Sequence, residues 1–272
     1  MTLAEKHEHL RTILTQYESC LACFSGGVDS MLLLKVAHQV LGDRCVAFIA
    51  LSPTMAQSER RAAQSLAEEM GVRMEVVQSH ELDKPEFRLN PKDRCYHCKA
   101  ELLEIAAPVA KRLGLATILL GTNTDDLGDY RPGLQAAQEY GARQPLLEAG
   151  LNKSEIRALS KELGLPTWDK PQLACLSSRF PTGTEITPGR LQQVDDLEDG
   201  VRALGFRQVR ARWHGEIVRL ELEVGDIQRA AEPKTRQAIL ELGRKLGFTF
   251  VALDLAGFIS GSMNQLLGIR RA

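Results

Sequence analysis

Hydrophobic and polar positions along residues 1–165 switch repeatedly between short apolar runs and helical spacing. Residues 1–20 mix Glu5, Lys6, Glu8 and Arg11 with apolar positions and predict an amphipathic helix. Residues 20–24 form a short apolar run. A Gly-rich turn follows, then a helix over about 30–41 that Gly42 closes. Residues 45–51, 72–78 and 116–120 predict three further strands, and residues 96–113 predict a helix. Thr54 and Gln57 have capping-box spacing before one helix; Asn152 and Glu155 have it before another, which ends near Gly164 and Pro166. This β-α-β-α order predicts an α/β fold with a doubly wound parallel sheet, whose ligands bind beyond the carboxyl ends of the strands.

The pattern changes over residues 173–188. Pro181, Gly183 and Pro188 punctuate that stretch, which reads as a linker or mobile loop. Beyond it come a helix (191–204), two strand-like runs (208–213 and 216–224), a helix (233–246) and a strand (248–253), together a small α+β unit. At about 150 residues per domain, the 272 residues accommodate this division into domains 1–180 and 181–272. The second is expected to serve substrate binding and homo-oligomer formation.

Composition narrows the class. With 44% hydrophobic residues the chain forms a real core, which excludes wholesale disorder. The net charge is −1, and residues 181–272 carry 13 basic and 12 acidic side chains, a net +1. A general nucleic-acid binder usually shows a basic excess, so nucleic acid is a disfavoured partner. No apolar run reaches the roughly 18 residues that a membrane span needs, and residues 1–20 lack the continuous apolar stretch of a signal peptide. A cytoplasmic location is expected. There, the six cysteines are free, catalytic or metal-bound rather than paired in disulfides.

The sharpest motif is Ser25-Gly26-Gly27-Val28-Asp29-Ser30, between a strand and a helix. Glycines let backbone approach a phosphate, and the helix start offers unpaired N–H groups and a positive dipole end. Ser25 and Ser30 add hydroxyls, and Asp29 suits a Mg²⁺ ion on the same phosphates. The Gly-Lys-Ser/Thr of a Walker loop is missing. The motif resembles the PP-loop of the ATP-pyrophosphatase (adenine nucleotide α-hydrolase-like) superfamily, which implies ATP cleavage between the α and β phosphates and adenylation of an oxygen. Ser52 and Pro53 end the second strand, where adenine and ribose would rest. Gly121-Thr122-Asn123 ends the fourth, followed by Asp125, Asp126 and Asp129 as a magnesium or substrate site, or as a solvated acidic turn. Lys153, early in its helix, resembles the lysine that such enzymes aim at phosphates.

Cys95-Tyr96-His97-Cys98 opens a helix, and Cys175 stands in Ala174-Cys175-Leu176-Ser177-Ser178-Arg179-Phe180. A Cys-x-x-Cys pair suits a metal, and a third cysteine completes the ligands of a [4Fe–4S] cluster with one open iron; a zinc site, a redox pair and no shared chemistry remain alternatives. Cys20, Cys23 and Cys45 fall in or beside apolar strands and read as core. Cys175 is flanked by Arg179, which would favour a nucleophilic thiolate.

Alternation over residues 208–223 puts Val209, Ala211 and Trp213 on one face and Arg210, Arg212 and His214 on the other. With His214-Gly215 as a two-residue turn, Val209 would pair with Leu220, Ala211 with Val218 and Arg210 with Arg219, near Glu221. Two opposed arginines want an anion between them. The face is therefore an anion site or a solvated, ion-paired surface. Asp226 either assists it or caps the next helix.

Beyond the shared phosphate loop, the runs Gly121 to Asp126, Asp129-Tyr130-Arg131-Pro132-Gly133, Ala174 to Arg179 and Arg210 to Gly215 resemble the LarE family of ATP-dependent sacrificial sulfur transferases, over nearly the full chain. The family converts the carboxylates of pyridinium-3,5-biscarboxylate mononucleotide to thiocarboxylates, toward the nickel-pincer nucleotide cofactor of lactate racemase. The resemblance implies Cys175 as sulfur donor, left as dehydroalanine. It implies ATP and Mg²⁺ at Ser25, Gly26, Gly27, Asp29, Ser30, Ser52, Gly121, Asn123, Asp125 and Lys153. It also implies substrate contacts from Ser178, Arg179, Arg210, Arg212, Glu221 and Asp226. Related members with a trio like Cys95, Cys98 and Cys175 resemble [4Fe–4S]-dependent thiolases, acting on the same substrate or on tRNA. An amide synthetase similar to NAD or GMP synthetase is a further alternative.

Overall fold

The computed structural model describes residues 1–128, 132–171 and 174–259. The first half of the chain runs α1 (Leu3–Thr15), β1 (Cys20–Cys23), α2 (Val28–Leu41), β2 (Cys45–Leu51), α3 (Gln57–Glu69), β3 (Met74–Gln78), α4 (Pro85–Arg88), α5 (Arg94–Leu113), β4 (Thr117–Leu119), α6 (Pro132–Glu139), α7 (Pro145–Glu148) and α8 (Lys153–Glu162). The rest runs α9 (Pro188–Ala203), β5 (Val209–His214), β6 (Ile217–Leu222), α10 (Ile227–Ala231), α11 (Pro233–Lys245) and β7 (Phe250–Leu253). Contacts divide it into two units, one of residues 1–87 and 93–173, the other of residues 88–92 and 174–272.

The first unit is built on a parallel sheet of order β3-β2-β1-β4. Strands covered on both faces read as unbroken apolar runs, and β1 (CLAC) and β2 (CVAFIAL) do so. Alternate residues of β1 serve opposite layers. Cys20 and Ala22 pack with apolar side chains of α1, α2, α3 and α8, whereas Leu21 and Cys23 pack with Leu103, Ala106, Val109 and Ala110 of α5. The fold is therefore α/β and doubly wound. α2 is apolar on most of its circumference, with Val28, Met31, Leu32, Leu33, Leu34, Val36 and Ala37 buried, as befits a helix enclosed by its neighbours. The Asn152–Glu155 capping box forms at α8. That of Thr54 and Gln57 does not: α3 starts after Ala56, and the Thr54 hydroxyl donates to Glu81 instead.

The second unit pairs β5 with β6 antiparallel and β6 with β7 parallel. The hairpin turn lies one residue later than the sequence reading places it, at Gly215-Glu216, because His214 still pairs with Ile217. Val209 therefore faces Leu222, Ala211 faces Leu220, and Arg219 lies opposite Arg212 rather than Arg210. A register shift of two residues keeps every side chain on its face, so the predicted faces survive. The described part of residues 173–188 is not a linker. Residues Leu176–Arg179 make a 3₁₀ turn, and Leu176, Ser177, Arg179, Phe180 and Ile186 are buried. Residues 88–92 brace it: Asn90 Nδ2 donates to the Pro181 carbonyl (2.8 Å), and the Asn90 and Arg88 carbonyls accept from Gly183 N and Ile186 N.

Candidate functional site

In the first unit the phosphate-loop residues close on themselves. Ser25 N donates to Ser30 Oγ (3.3 Å), the two hydroxyls lie 3.2 Å apart, and Ser30 Oγ donates to the Gly27 carbonyl (3.2 Å). Gly27, the N-cap of α2, has no side chain to cap the helix, so the start of α2 is a candidate anion cradle. Gly26 has φ +70°, and a Cβ there would stand 3.1 Å from Ala63 of α3. Gly121, just past β4, also approaches the loop: a Cβ there would lie 3.1 Å from Ser30 N.

Asp29 is the charged centre of this cradle. Its Oδ2 pairs with Lys153 Nζ (2.5 Å) and accepts from Asn123 Nδ2 (3.4 Å). Its Oδ1 is buried and has no hydrogen-bond partner among the described residues. A buried carboxylate oxygen without a partner fits a cation, and Mg²⁺ prefers one or two such oxygens plus phosphates. Asp125 and Asp126 each accept a backbone hydrogen bond beside Asp29: Asp125 Oδ2 accepts from Lys153 N at the start of α8, and Asp126 Oδ2 accepts from Asn123 N; Asp129 lies outside the described residues, as do Tyr130 and Arg131. The Ser52 hydroxyl donates to Glu81 and pairs with that of Thr54.

The sequence reading missed Lys170. Its ammonium lies 2.6 Å from Glu59 Oε2 and donates to the Gly26 carbonyl (3.0 Å), tying α3 to the phosphate loop. No periodicity marks a lysine in an irregular segment, so only the fold reveals it. Two buried carboxylates were missed as well. Glu81 accepts from Thr54, and Glu101 accepts from Ser79 Oγ and His80 N, both at 2.6 Å.

Cys20, Cys23 and Cys45 are buried core residues. Cys20 and Cys45 stand side by side in register, and the neighbouring Cys45 thiol together with burial pushes the Cys20 thiol up; burial pushes Cys23 up to about 12. Both are inert thiols. Cys95 and Cys175 are exposed and Cys98 is half-buried. Among the described residues no three His, Cys, Asp or Glu side chains are grouped as a metal site.

The second unit carries Cys175 at the start of the 3₁₀ turn. Arg179 has a partner that the sequence reading does not foresee. It is 2% exposed, and its Nε and Nη2 donate to both oxygens of Glu198 at 2.7 and 2.9 Å. Its Nη1 donates to the carbonyls of Ala174 (2.9 Å) and Cys175 (3.2 Å) and to Ser178 Oγ (2.9 Å). Burial opposes the charge on both partners, but mutual attraction outweighs it: Arg179 is held above and Glu198 below its usual range.

The hairpin face is not solvated either, since Arg210 and Arg212 are buried. Arg212 donates to Glu221 Oε2 (2.7 Å) and to the Ser178 carbonyl (3.0 Å), and Arg219 reaches the other oxygen of Glu221 (2.9 Å) and also Asp254. Arg210 Nη1 donates to the Val209 carbonyl, and its guanidinium lies 5.1 Å from the Phe258 ring centre. Burial, with Arg179 next and Glu198 opposing, pushes Arg210 down to about 9. The predicted residues Cys175, Ser178, Arg179, Arg212 and Glu221 thus share one network, joined by Arg219 of the same hairpin face and by the unforeseen Glu198 and Arg202. Asp226 does not join it; its carboxylate pairs with Arg229 (3.1 Å).

No family model matches the chain. It is 44% identical, over 97% of its length, to an uncharacterized protein of Synechocystis sp., spanning 99% of that relative. It is 40% identical over 98% of its length to the pyridinium-3,5-bisthiocarboxylic acid mononucleotide synthase of Lactiplantibacillus plantarum, spanning 96% of it. A more distant relative, 26% identical over 60% of the chain and 56% of its own length, is a component of the glutamine-hydrolyzing GMP synthase of Thermococcus kodakarensis.

Proposed function

Because the chain belongs to the LarE-type pyridinium-3,5-bisthiocarboxylic acid mononucleotide synthase family, we propose that it is an ATP-dependent sulfur transferase that converts the carboxylates of pyridinium-3,5-biscarboxylate mononucleotide to thiocarboxylates with Cys175 as sulfur donor. The observation that carries this reading is an exposed, free Cys175 at the head of a buried arginine–glutamate clamp. The candidate anion cradle around Asp29 supports the ATP half of it.

The loop N–H groups, with Ser25 and Ser30, receive the phosphates of ATP, and Lys153 adds positive charge. Asp29 would hold Mg²⁺, which neutralises the phosphates when bound. A substrate carboxylate attacks the α phosphate, and pyrophosphate leaves. The Cys175 thiolate then attacks the acyl-adenylate and displaces AMP, giving a thioester. Cleavage of the Cys175 Cβ–S bond leaves the thiocarboxylate and dehydroalanine. Arg210 and Arg212 carry guanidinium groups suited to the substrate's phosphate or carboxylate.

The test supplies Mg-ATP and the biscarboxylate mononucleotide. Wild-type protein releases pyrophosphate and AMP and yields thiocarboxylate; Cys175→Ser releases pyrophosphate but yields none. Thiocarboxylate formed by Cys175→Ser overturns the donor assignment, and absence of pyrophosphate from wild type overturns the adenylation. Cluster-based delivery is the second reading, favoured by Cys95 and Cys98 lying one turn apart at the start of α5 and reaching the surface. Iron and sulfide in anaerobically purified protein would support it.

A further inference from the structure

The last step of that reading is a β-elimination, and the protein must stabilise the charge it creates. Removing the Cys175 Cα proton places negative charge on the Cys175 carbonyl oxygen, as an amide enolate. That oxygen already accepts a hydrogen bond from Arg179 Nη1 at 3.2 Å. The same guanidinium is fixed by two bonds to the buried Glu198 and by bonds to the Ala174 carbonyl and Ser178 Oγ. It cannot swing away toward solvent, being 2% exposed. A donor held in place before charge develops is the arrangement that lowers a barrier most.

We propose that Arg179 is a catalytic residue of carbon–sulfur cleavage, stabilising the enolate of Cys175 rather than binding substrate. The proposal rests on the sacrificial reading of Cys175. The Cα proton passes to solvent hydroxide, since Cys175 is exposed. The electron pair of the enolate forms the Cα=Cβ double bond, the Cβ–S bond breaks, and its electron pair leaves on the thiocarboxylate sulfur. No oxidant or reductant is needed. Glu198 is a positioning residue in this scheme, since it acts only through the guanidinium.

The test needs neither ATP nor substrate. A dibromide that alkylates a cysteine thiol twice makes a cyclic sulfonium, which leaves by the same β-elimination and gives dehydroalanine. On the wild-type protein, Cys175 and the likewise exposed Cys95 are compared by peptide mass spectrometry, each as the rate of elimination per sulfonium formed. Elimination at Cys175 is expected to be about 100-fold faster, the usual worth of one such donor. Arg179→Lys should bring Cys175 down toward the Cys95 rate, and acceleration by added hydroxide should remain at both. Equal rates at Cys175 and Cys95 in wild type overturn the proposal, whether or not the variant folds. An excess at Cys175 that survives in folded Arg179→Lys also overturns it. Failure of the sacrificial reading looks different: the excess is present, but Mg-ATP and the biscarboxylate mononucleotide leave no dehydroalanine.

Discussion

Replacing Glu198 by glutamine keeps the shape of the side chain and removes its charge. The carboxylate accepts four hydrogen bonds, from Arg179 Nε and Nη2, from Arg202 Nη2 at 2.7 Å and from Ala211 N at 2.9 Å. Arg202 has a second partner in Asp199, but Arg179 is left as a buried cation facing an amide. Breaking a buried pair from one side destabilises by about 3–5 kcal/mol, a large share of the roughly 5–15 kcal/mol that holds a domain folded. Removing both charges together, in Arg179→Met with Glu198→Leu, takes away the buried cation along with its partner, so the double variant should be more stable than Glu198→Gln alone. Urea unfolding read by Trp213 fluorescence in a Trp168→Phe background isolates the second unit, since these are the two tryptophans. The same pair carries a pH signature. Glu198 is held below the ordinary range by Arg179 against the opposing effect of burial. Its contribution is therefore fully present above the ordinary glutamate value of about 4.3 and is lost as pH falls below it. Glu198→Gln should flatten that acid limb. A loss under about 1 kcal/mol, or a double variant weaker than Glu198→Gln, would refute the reasoning.

Asp29→Asn removes the carboxylate whose Oδ1 has no partner among the described residues and should cut pyrophosphate release at least about 100-fold, with an unchanged melting temperature as the check on folding. Gly121→Ala places a methyl 3.1 Å from Ser30 N and should raise the KM for ATP as the first turn of α2 is displaced, while Cys175 alkylation stays at the wild-type rate. Asn90 has φ +53°, so Asn90→Ala should be less stable than Asn90→Gly by about 1–2 kcal/mol, measured by urea unfolding; equal stabilities would show that the left-handed backbone is not under strain there.

Much of the first unit is legible in sequence for a simple physical reason. Strands such as CVAFIAL are buried on both faces and must be apolar throughout, and the loop between β1 and α2 needs glycines at fixed places. The hairpin shows a different kind of legibility. A turn misplaced by one residue shifts the pairing by two and leaves the faces intact, so Arg210 and Arg212 are found on the right face with the wrong partner. The Thr54–Gln57 spacing fails because Thr54 finds the buried Glu81, a competitor no local pattern reveals. Glu198 is invisible for the same reason: within α9 it is one acid among several, and only the packing of α9 on the 3₁₀ turn of residues Leu176–Arg179 gives it Arg179. Arg179 itself is found, but with a role taken from its neighbours in sequence rather than from the carboxylate 19 residues away.

Intact-protein mass spectrometry across a single turnover with Mg-ATP and the biscarboxylate mononucleotide tests the central claim most directly. Wild-type protein should lose the elements of hydrogen sulfide, with peptide mapping placing dehydroalanine at residue 175, and Cys175→Ser should keep its mass. Thiolated product alongside wild-type protein of unchanged mass would contradict the account.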